Sequence, residues 1–442
     1  MSIKVALVSL GCEKNLVDSE RMLHKLRVHG YELVTEFGDS DVAVVNTCGF
    51  IQSAKEEAIE TILEIAALKK EGQVKKLILT GCLTERYKEE AAAEFPEADA
   101  IIGIGDNKDI VDVLDKVLHG EHWVHFSPKT EVELTGSRII STLPFFSYLK
   151  ISEGCSNCCT YCAIPMIRGK YRSVPMEDVL AEAKWLAENG VTELNIIAQD
   201  TTRYGEDLYG ENKLCELLHK ICAIEPLRWV RVLYCYPERI TDELIETIAS
   251  EPKIVKYLDM PIQHCNDAIL QRMNRPSTKA KLLDVIGRLR KAMPEIVLRT
   301  TLIAGFPEET EAQFTELCEF VKDVRFTRLG CFAYSQEEGT KAGGFPDQLD
   351  EETKQNRAEI LMEHQADIAA AYNEAQIGTE KTAVVEGFDK WAECYFGRTA
   401  ADAPDIDGKV FFSSEAPLQI GDYVQIRITD TLDYDLLGEV IT

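Results

Sequence analysis

No run of about 18 uncharged apolar residues occurs in the 442-residue chain, so no segment reads as a membrane-crossing helix. The start, Met1-Ser2-Ile3-Lys4, leads into a strand-like segment and lacks an apolar leader, so a cytoplasmic protein is expected. Internal repeats and low-complexity tracts are lacking too, which excludes solenoids and linker-like disorder. Glycine and proline are modest at 27 and 15, and 45% of residues are hydrophobic. That is enough apolar material for about three domains of roughly 150 residues, each with its own core. Basic charge is scarce, with 48 Lys and Arg against 75 Asp and Glu and a net charge of −27. The deficit argues against nonspecific nucleic-acid binding and suits a small molecule or a basic protein partner. Cysteine, by contrast, is plentiful at 14 residues. A reducing cytoplasm makes a disulfide framework unexpected at this size, so the positions of the thiols carry the information.

Residues 1–120 alternate apolar strands (Lys4–Leu10, Val42–Asn46, Lys76–Thr80, Ala98–Ile104) with helical segments (Asp18–Gly30, Ser53–Lys70, Glu85–Phe95, Lys108–Gly120). The alternation predicts a doubly wound parallel sheet. Residues 121–143 show no period and read as a linker. Within residues 144–376, strands are expected at Phe146–Ile151, Glu193–Ala198, Trp229–Tyr234, Tyr257–Pro261, Ile296–Ile303 and Arg328–Tyr334. Five helices fall between them, from Pro175–Asn189 to Glu311–Asp323, and a long charged helix, Glu351–Gln376, follows. Six strands in about 190 residues predict a partial α/β barrel, since eight strand–helix units typically need ~250. Residues 379–442 hold five short strands between Gly, Pro and Asp turns and read as a small all-β barrel. The fold class is therefore α/β: a doubly wound sheet, a partial α/β barrel and a C-terminal β module.

Cys155, Cys159 and Cys162 form a C-x3-C-x2-C run on the loop after the first barrel strand. Barrel chemistry sits at the carboxyl ends of strands. Three thiolates on one loop can bind three irons of a 4Fe–4S cluster and leave the fourth iron open to a ligand. A zinc loop or unpaired buried thiols remain the alternatives, though structural zinc sites favour two separated C-x2-C pairs. Cys158 is a spare thiol within the run.

Cys12, Cys48 and Cys82 each stand just past the end of an apolar strand. In a doubly wound sheet these ends share one edge, where ligands bind, so residues far apart in sequence converge. Gly11, Gly49 and Gly81 adjoin them and permit close backbone approach. Three cysteines without a fourth again suggest a 4Fe–4S cluster with an open iron, against half-buried structural thiols or zinc. Cys215, Cys222, Cys235, Cys265, Cys318, Cys331 and Cys394 read as packing residues.

The Cys155–Cys162 run, with Tyr161 before its last cysteine, resembles the radical S-adenosylmethionine superfamily. The resemblance implies that the open iron chelates S-adenosylmethionine and that the reduced cluster cleaves it to a 5′-deoxyadenosyl radical. It also implies cosubstrate contacts from Tyr161, Gln199, Asp200, Gln263, Arg299 and Gly305. By residue type alone, Gln199-Asp200 equally suits a helix cap and Gly305-Phe306-Pro307 a turn. Two three-cysteine sites followed by a β module resemble the methylthiotransferases across essentially the whole chain. That resemblance implies two 4Fe–4S clusters, the N-terminal one carrying sulfur, and a C-terminal TRAM-like barrel.

Leu10-Gly11-Cys12-Glu13-Lys14-Asn15-Leu16-Val17-Asp18-Ser19-Glu20 resembles the branch that modifies the β-carbon of an aspartate in a small-subunit ribosomal protein, the twelfth. Glu13, where that branch has proline, departs from the pattern at an expected loop position. Asn46–Ile51, Tyr148–Cys155 and Gly397–Gly408 carry the same resemblance. The implied partners are that ribosomal protein and a flavodoxin- or ferredoxin-like electron donor. From Thr379 onward 13 acidic residues face 5 basic ones, so direct tRNA binding is not expected of the module. A tRNA adenosine methylthiotransferase and a non-catalytic iron–sulfur carrier are the alternatives.

Overall fold

The computed structural model describes residues 2–441. Strands β1 (Lys4–Ser9), β2 (Glu32–Val34), β3 (Val42–Thr47), β4 (Lys76–Gly81), β5 (Ala100–Ile102) and β6 (Trp123–His125) form one six-stranded sheet in the order β2-β1-β3-β4-β5-β6. All its pairings are parallel. Central strand β3 is buried along its whole length, because helices cover both faces. One face packs Ile62, Ile65 and Phe95 against Val45 and Leu79; the other packs Met22, Leu26, Ile110 and Leu114 against Val44 and Ile78. The strand order reverses between β1 and β3, which makes that crevice the topological switch point where such sheets bind ligands.

Several local expectations need correction. The first helix is Glu13–Val28, so it begins directly after Cys12 and places Glu13 on its first turn, not on a loop. The single helix expected at Glu85–Phe95 is two, Cys82–Tyr87 and Glu89–Glu94, broken at Lys88 with φ 45°. The segment read as a linker opens with β6, an edge strand of the sheet. Strands β2 and β6 have three residues each, too few to show a period.

The central part runs from β7 (Phe146–Lys150) through a short ribbon of β8 (Ser152–Glu153) and β9 (Arg172–Ser173) to β10 (Glu193–Ile197), β11 (Trp229–Val232), β12 (Ile254–Asp259), β13 (Val297–Ala304) and β14 (Arg328–Ala333). The main sheet reads β14-β13-β12-β11-β10-β7, parallel throughout and open between β7 and β14. It is a half-barrel with helices outside and the largest apolar core of the molecule beneath them. The helix Glu351–Glu374 packs on β14. Strands β15 (Glu380–Asp389), β16 (Cys394–Thr399), β17 (Val410–Ser413), β18 (Tyr423–Leu432) and β19 (Asp435–Val440) close a five-stranded barrel.

The loop after β16 inserts against the half-barrel. Arg398 pairs with Glu193 at 2.9 Å, Asp402 accepts from Arg328 at 2.6 Å, and Asp407 accepts from Tyr257 at 2.7 Å. Arg398, Glu193, Asp402, Arg328 and Tyr257 are buried, and a buried charge is tolerated only when paired. The Gly397–Gly408 segment is thus a seam between module and barrel.

Candidate functional site

The first thiol triad is gathered by hydrogen bonds between strand ends. The Asn15 amide donates to Leu10 O at 2.8 Å and reaches Thr47 O at 3.2 Å, joining the ends of β1 and β3. Thr47 Oγ1 donates to Thr80 O at 2.6 Å and accepts from Leu83 N at 3.3 Å, joining β3 to β4. The loops touch. Gly11 has φ +86°, and a Cβ there would lie 2.7 Å from Cys48 Sγ; a Cβ on Gly49 would lie 2.9 Å from the Cys82 carbonyl carbon. Only glycine fits such contacts. Cys12 stands at the N-terminus of Glu13–Val28 and Cys82 opens Cys82–Tyr87, so the positive ends of helix dipoles face this region.

The second triad lies on one loop. Cys155 N donates to Gly169 O at 3.1 Å, Cys162 N donates to Cys159 O at 3.0 Å, and the loop turns at Cys158 with φ 52°. Asn274 donates to the carbonyls of Asn157 and Cys158, holding the exposed side. The Tyr236 hydroxyl lies 3.0 Å from Cys159 Sγ.

The two sites face one another. Cys82 packs with Ala163 and Ile167, the turn immediately after Cys162. Arg168 joins both: its Nη2 lies 3.5 Å from Cys82 Sγ and 2.9 Å from Asn15 Oδ1, while Nη1 reaches Asp18 at 2.6 Å and Glu153 at 3.2 Å. Lys150 completes the group, bonding Asp18 and, at 3.0 Å, Glu153. Two cations and two anions are therefore buried together between the N-terminal sheet and the half-barrel. Burial pushes the Asp18 carboxyl up, but Lys150 and Arg168 outweigh it and hold it at about 2.

The thiols are suited to a multi-iron group. Burial pushes Cys82 up to about 12 and Cys155 up to about 11, and raises Cys48 and Cys162; neighbouring thiols of the same triad add to each shift. The sulfurs are thus close enough to oppose one another's ionisation. Yet among the described residues no three His, Cys, Asp or Glu side chains are placed to hold a single metal ion. Three thiols near enough to interact are a donor set of the kind that soft iron centres take. Loading would displace the thiol protons.

The expected cosubstrate residues divide. Asp200 is fully buried and accepts from Asn157 at 2.8 Å and Thr202 at 2.6 Å, so it anchors the cysteine loop. Gln199 Oε1 is buried with no partner among the described residues. Tyr161 packs in one cluster with Phe306, beside Gly305. Gly305 itself lies against Lys354 of the long helix, where a Cβ would meet Lys354 Cα at 2.9 Å. Gln263 has φ 71° and joins β13 through Thr301 and Ile303. Arg299 donates to Asp259 at 2.8 Å and lines a cavity of about 420 Å3 beside Ile406 and Tyr434, at the seam with the C-terminal module. A second cavity of about 910 Å3 opens over the cysteine loop at Ser156, Asn157, Arg203, Tyr236 and Arg275. Sequence reasoning missed Arg168, Tyr234 and Tyr236, because no spacing marks them; Lys14 stood in a quoted motif without a role.

Residues 4–103 match the family described as "Uncharacterized protein family UPF0004", residues 149–321 the radical SAM superfamily, and residues 377–441 the TRAM domain. The chain is 47% identical over 442 residues to "Ribosomal protein uS12 methylthiotransferase RimO" of Geobacter sulfurreducens, covering 99% of both chains. It is 49% identical to the protein of that name in Lachnoclostridium phytofermentans, again over 99% of both. Among solved structures, the radical S-adenosylmethionine methyltransferase TsrM of Kitasatospora setae, with cobalamin and a [4Fe–4S] cluster bound, superposes with a TM-score of 0.58. That match is at 14% identity and covers 78% of this chain and 77% of that one, a likeness of fold.

Proposed function

The chain belongs to the ribosomal protein uS12 methylthiotransferase family, and from that membership we infer that it replaces a hydrogen on the β-carbon of a uS12 aspartate with a thiomethyl group. It is a radical S-adenosylmethionine transferase. Such a C–H bond has no useful acidity, so no side-chain base can open it at neutral pH, and a radical is required. The arrangement that supports two cofactor sites is the pair of opposed thiol triads, each at the carboxyl ends of parallel strands. In our reading Cys155, Cys159 and Cys162 hold one 4Fe–4S cluster and Cys12, Cys48 and Cys82 a second. When bound, the clusters supply reductive cleavage of S-adenosylmethionine to the 5′-deoxyadenosyl radical and a site for the sulfur to be transferred.

The protein's own groups position and insulate. Asp200, through Asn157, fixes the loop of the second triad. Gln199 Oε1, buried and without a partner among the described residues, offers an acceptor to an N–H of the cosubstrate amino group. The Tyr236 hydroxyl lies against Cys159, and the Arg168 guanidinium lies against Cys82, where it stabilises negative charge on sulfur. Arg398, Asp402 and Asp407 fasten the C-terminal module to the half-barrel. The acidic module suits a basic ribosomal protein by complementary potential. An electron donor of flavodoxin or ferredoxin type and a cytoplasmic setting complete the reading; among the described residues no helix is long and apolar enough to cross a membrane.

Intact masses of small-subunit ribosomal proteins, from cells with and without this gene, test the reading. Loss of one thiomethyl increment from uS12, restored by the intact gene but not by Cys159→Ala, is the expected result. An unchanged uS12 mass, with a thiomethylated nucleoside lost from tRNA, would overturn the ribosomal assignment.

A further inference from the structure

The reacting β-carbon is bonded directly to the carboxyl carbon of the substrate aspartate. Whatever grips that carboxylate must therefore stand beside the reacting carbon, in the region between the two thiol triads. Most cations in this region are already committed. Arg168 and Lys150 are spent on Asp18 and Glu153, Arg299 on Asp259, Arg275 on Pro261 O, and Arg86 on Glu337.

Lys14 differs. It is buried, two residues from Cys12, and among the described residues its Nζ has no hydrogen-bond acceptor. The nearest carboxylate oxygen, Glu13 Oε2, is 3.8 Å away and already accepts from the Tyr234 hydroxyl at 2.7 Å. The ammonium rests on the Tyr234 ring, 2.9 Å from its centroid. The side chain keeps 6% exposure, so the ammonium is not sealed off.

Tyr234 is itself held for this purpose. It stands just past β11 with φ +61°, a left-handed conformation that strains a bulky residue. Its backbone N–H donates to Asp259 Oδ2 at 3.0 Å, which fixes the turn. The strained backbone aims an aromatic face at Lys14 and a hydroxyl at Glu13. An ammonium supported by a ring, flanked by an occupied carboxylate and missing its own acceptor is arranged to take an anion from outside.

We propose that Lys14 is the residue that binds the side-chain carboxylate of the target aspartate, so that the reacting β-carbon is held between the two thiol triads and aspartate is chosen over its amide. The proposal rests on the uS12 reading. It involves binding only, with no bond made or broken by Lys14. Charge-assisted hydrogen bonds of this kind support a preference of about 10- to 100-fold.

Equilibrium binding to the reconstituted enzyme, with S-adenosylmethionine present and reductant absent, tests it. The probes are uS12 and uS12 with its target aspartate changed to asparagine. Wild type is expected to bind the aspartate form about 10- to 100-fold more tightly. Lys14→Met should weaken only the aspartate form and bring the two within about threefold; Lys14→Arg should keep the preference because it keeps the charge. A wild-type enzyme without the preference, or Lys14→Met retaining it, would overturn the proposal. Misfolding of a variant would weaken both forms alike, and the wild-type comparison then decides alone. Failure of wild type to thiomethylate uS12 would count instead against the ribosomal reading.

Discussion

The two thiol triads are assembled by opposite routes. The central one is written within eight residues, and its geometry is set by one loop, pinned by Asn274, Gly169 and Asp200 through Asn157. The N-terminal one joins residues 12, 48 and 82 and exists only once β1, β3 and β4 have paired. A local site tolerates change in the fold around it; a topological site is as stable as the sheet that assembles it. The charges of Arg168, Lys150, Asp18 and Glu153 tie the two kinds of site together.

The sharpest break of the comparison is chemical. Cys159→Ala should abolish both 5′-deoxyadenosine formation and thiomethyl transfer, read by chromatography and by the mass of uS12. Cys48→Ala should lose transfer while retaining cleavage; full transfer by this variant would refute the division of labour. Next in size is Arg168→Met, which leaves Asp18 and Glu153 facing Lys150 alone in a buried setting. A cost of about 3–5 kcal/mol is expected in urea unfolding, because removing one partner strands a buried charge.

The same group predicts a pH dependence. Asp18 titrates near 2 when folded and near 3.8 when unfolded. Its contribution, on the order of 2 kcal/mol, is therefore present above pH 4 and lost as pH falls through 2. The stability gap between wild type and Asp18→Asn should narrow over that range. Gly11→Ala should cost about 1–2 kcal/mol, since φ is +86° and the new methyl meets Cys48. Iron analysis should show the N-terminal site depleted and the central one retained. Smallest is Cys158→Ser: the side chain is exposed, and a stability change within about 0.5 kcal/mol with unchanged iron content is expected.

Much of this was legible in the sequence because it is periodic. The half-barrel strands and most of its helices lie where the apolar spacing puts them; the helix expected at Pro175–Asn189 is Met176–Glu188, and that at Glu311–Asp323 is Glu311–Val324. The short edge strands β2 and β6 and the break at Lys88 were not, because three residues carry no period and a left-handed kink has no signature at a lysine. Of the site, the three glycine-flanked strand ends could be anticipated from topology. Arg168 could not, since its partners Asn15, Asp18 and Cys82 are distant in sequence and only tertiary packing brings them together. Asp200, expected from the resemblance at the cosubstrate, has hydrogen-bond partners that the sequence did not show: it accepts from Asn157 and Thr202.

The buried charges of the first helix also bear on ancestry. Three family matches divide the chain as if its parts could be exchanged freely. Yet the first helix contributes Asp18 to Lys150 and Arg168, and Glu20 to Arg138, all buried. A chimera that joined this N-terminal sheet to another half-barrel would inherit two carboxylates with no counter-charge. The parts are modular in outline but not interchangeable, and any lineage that shuffles them must pass these charges on as a set.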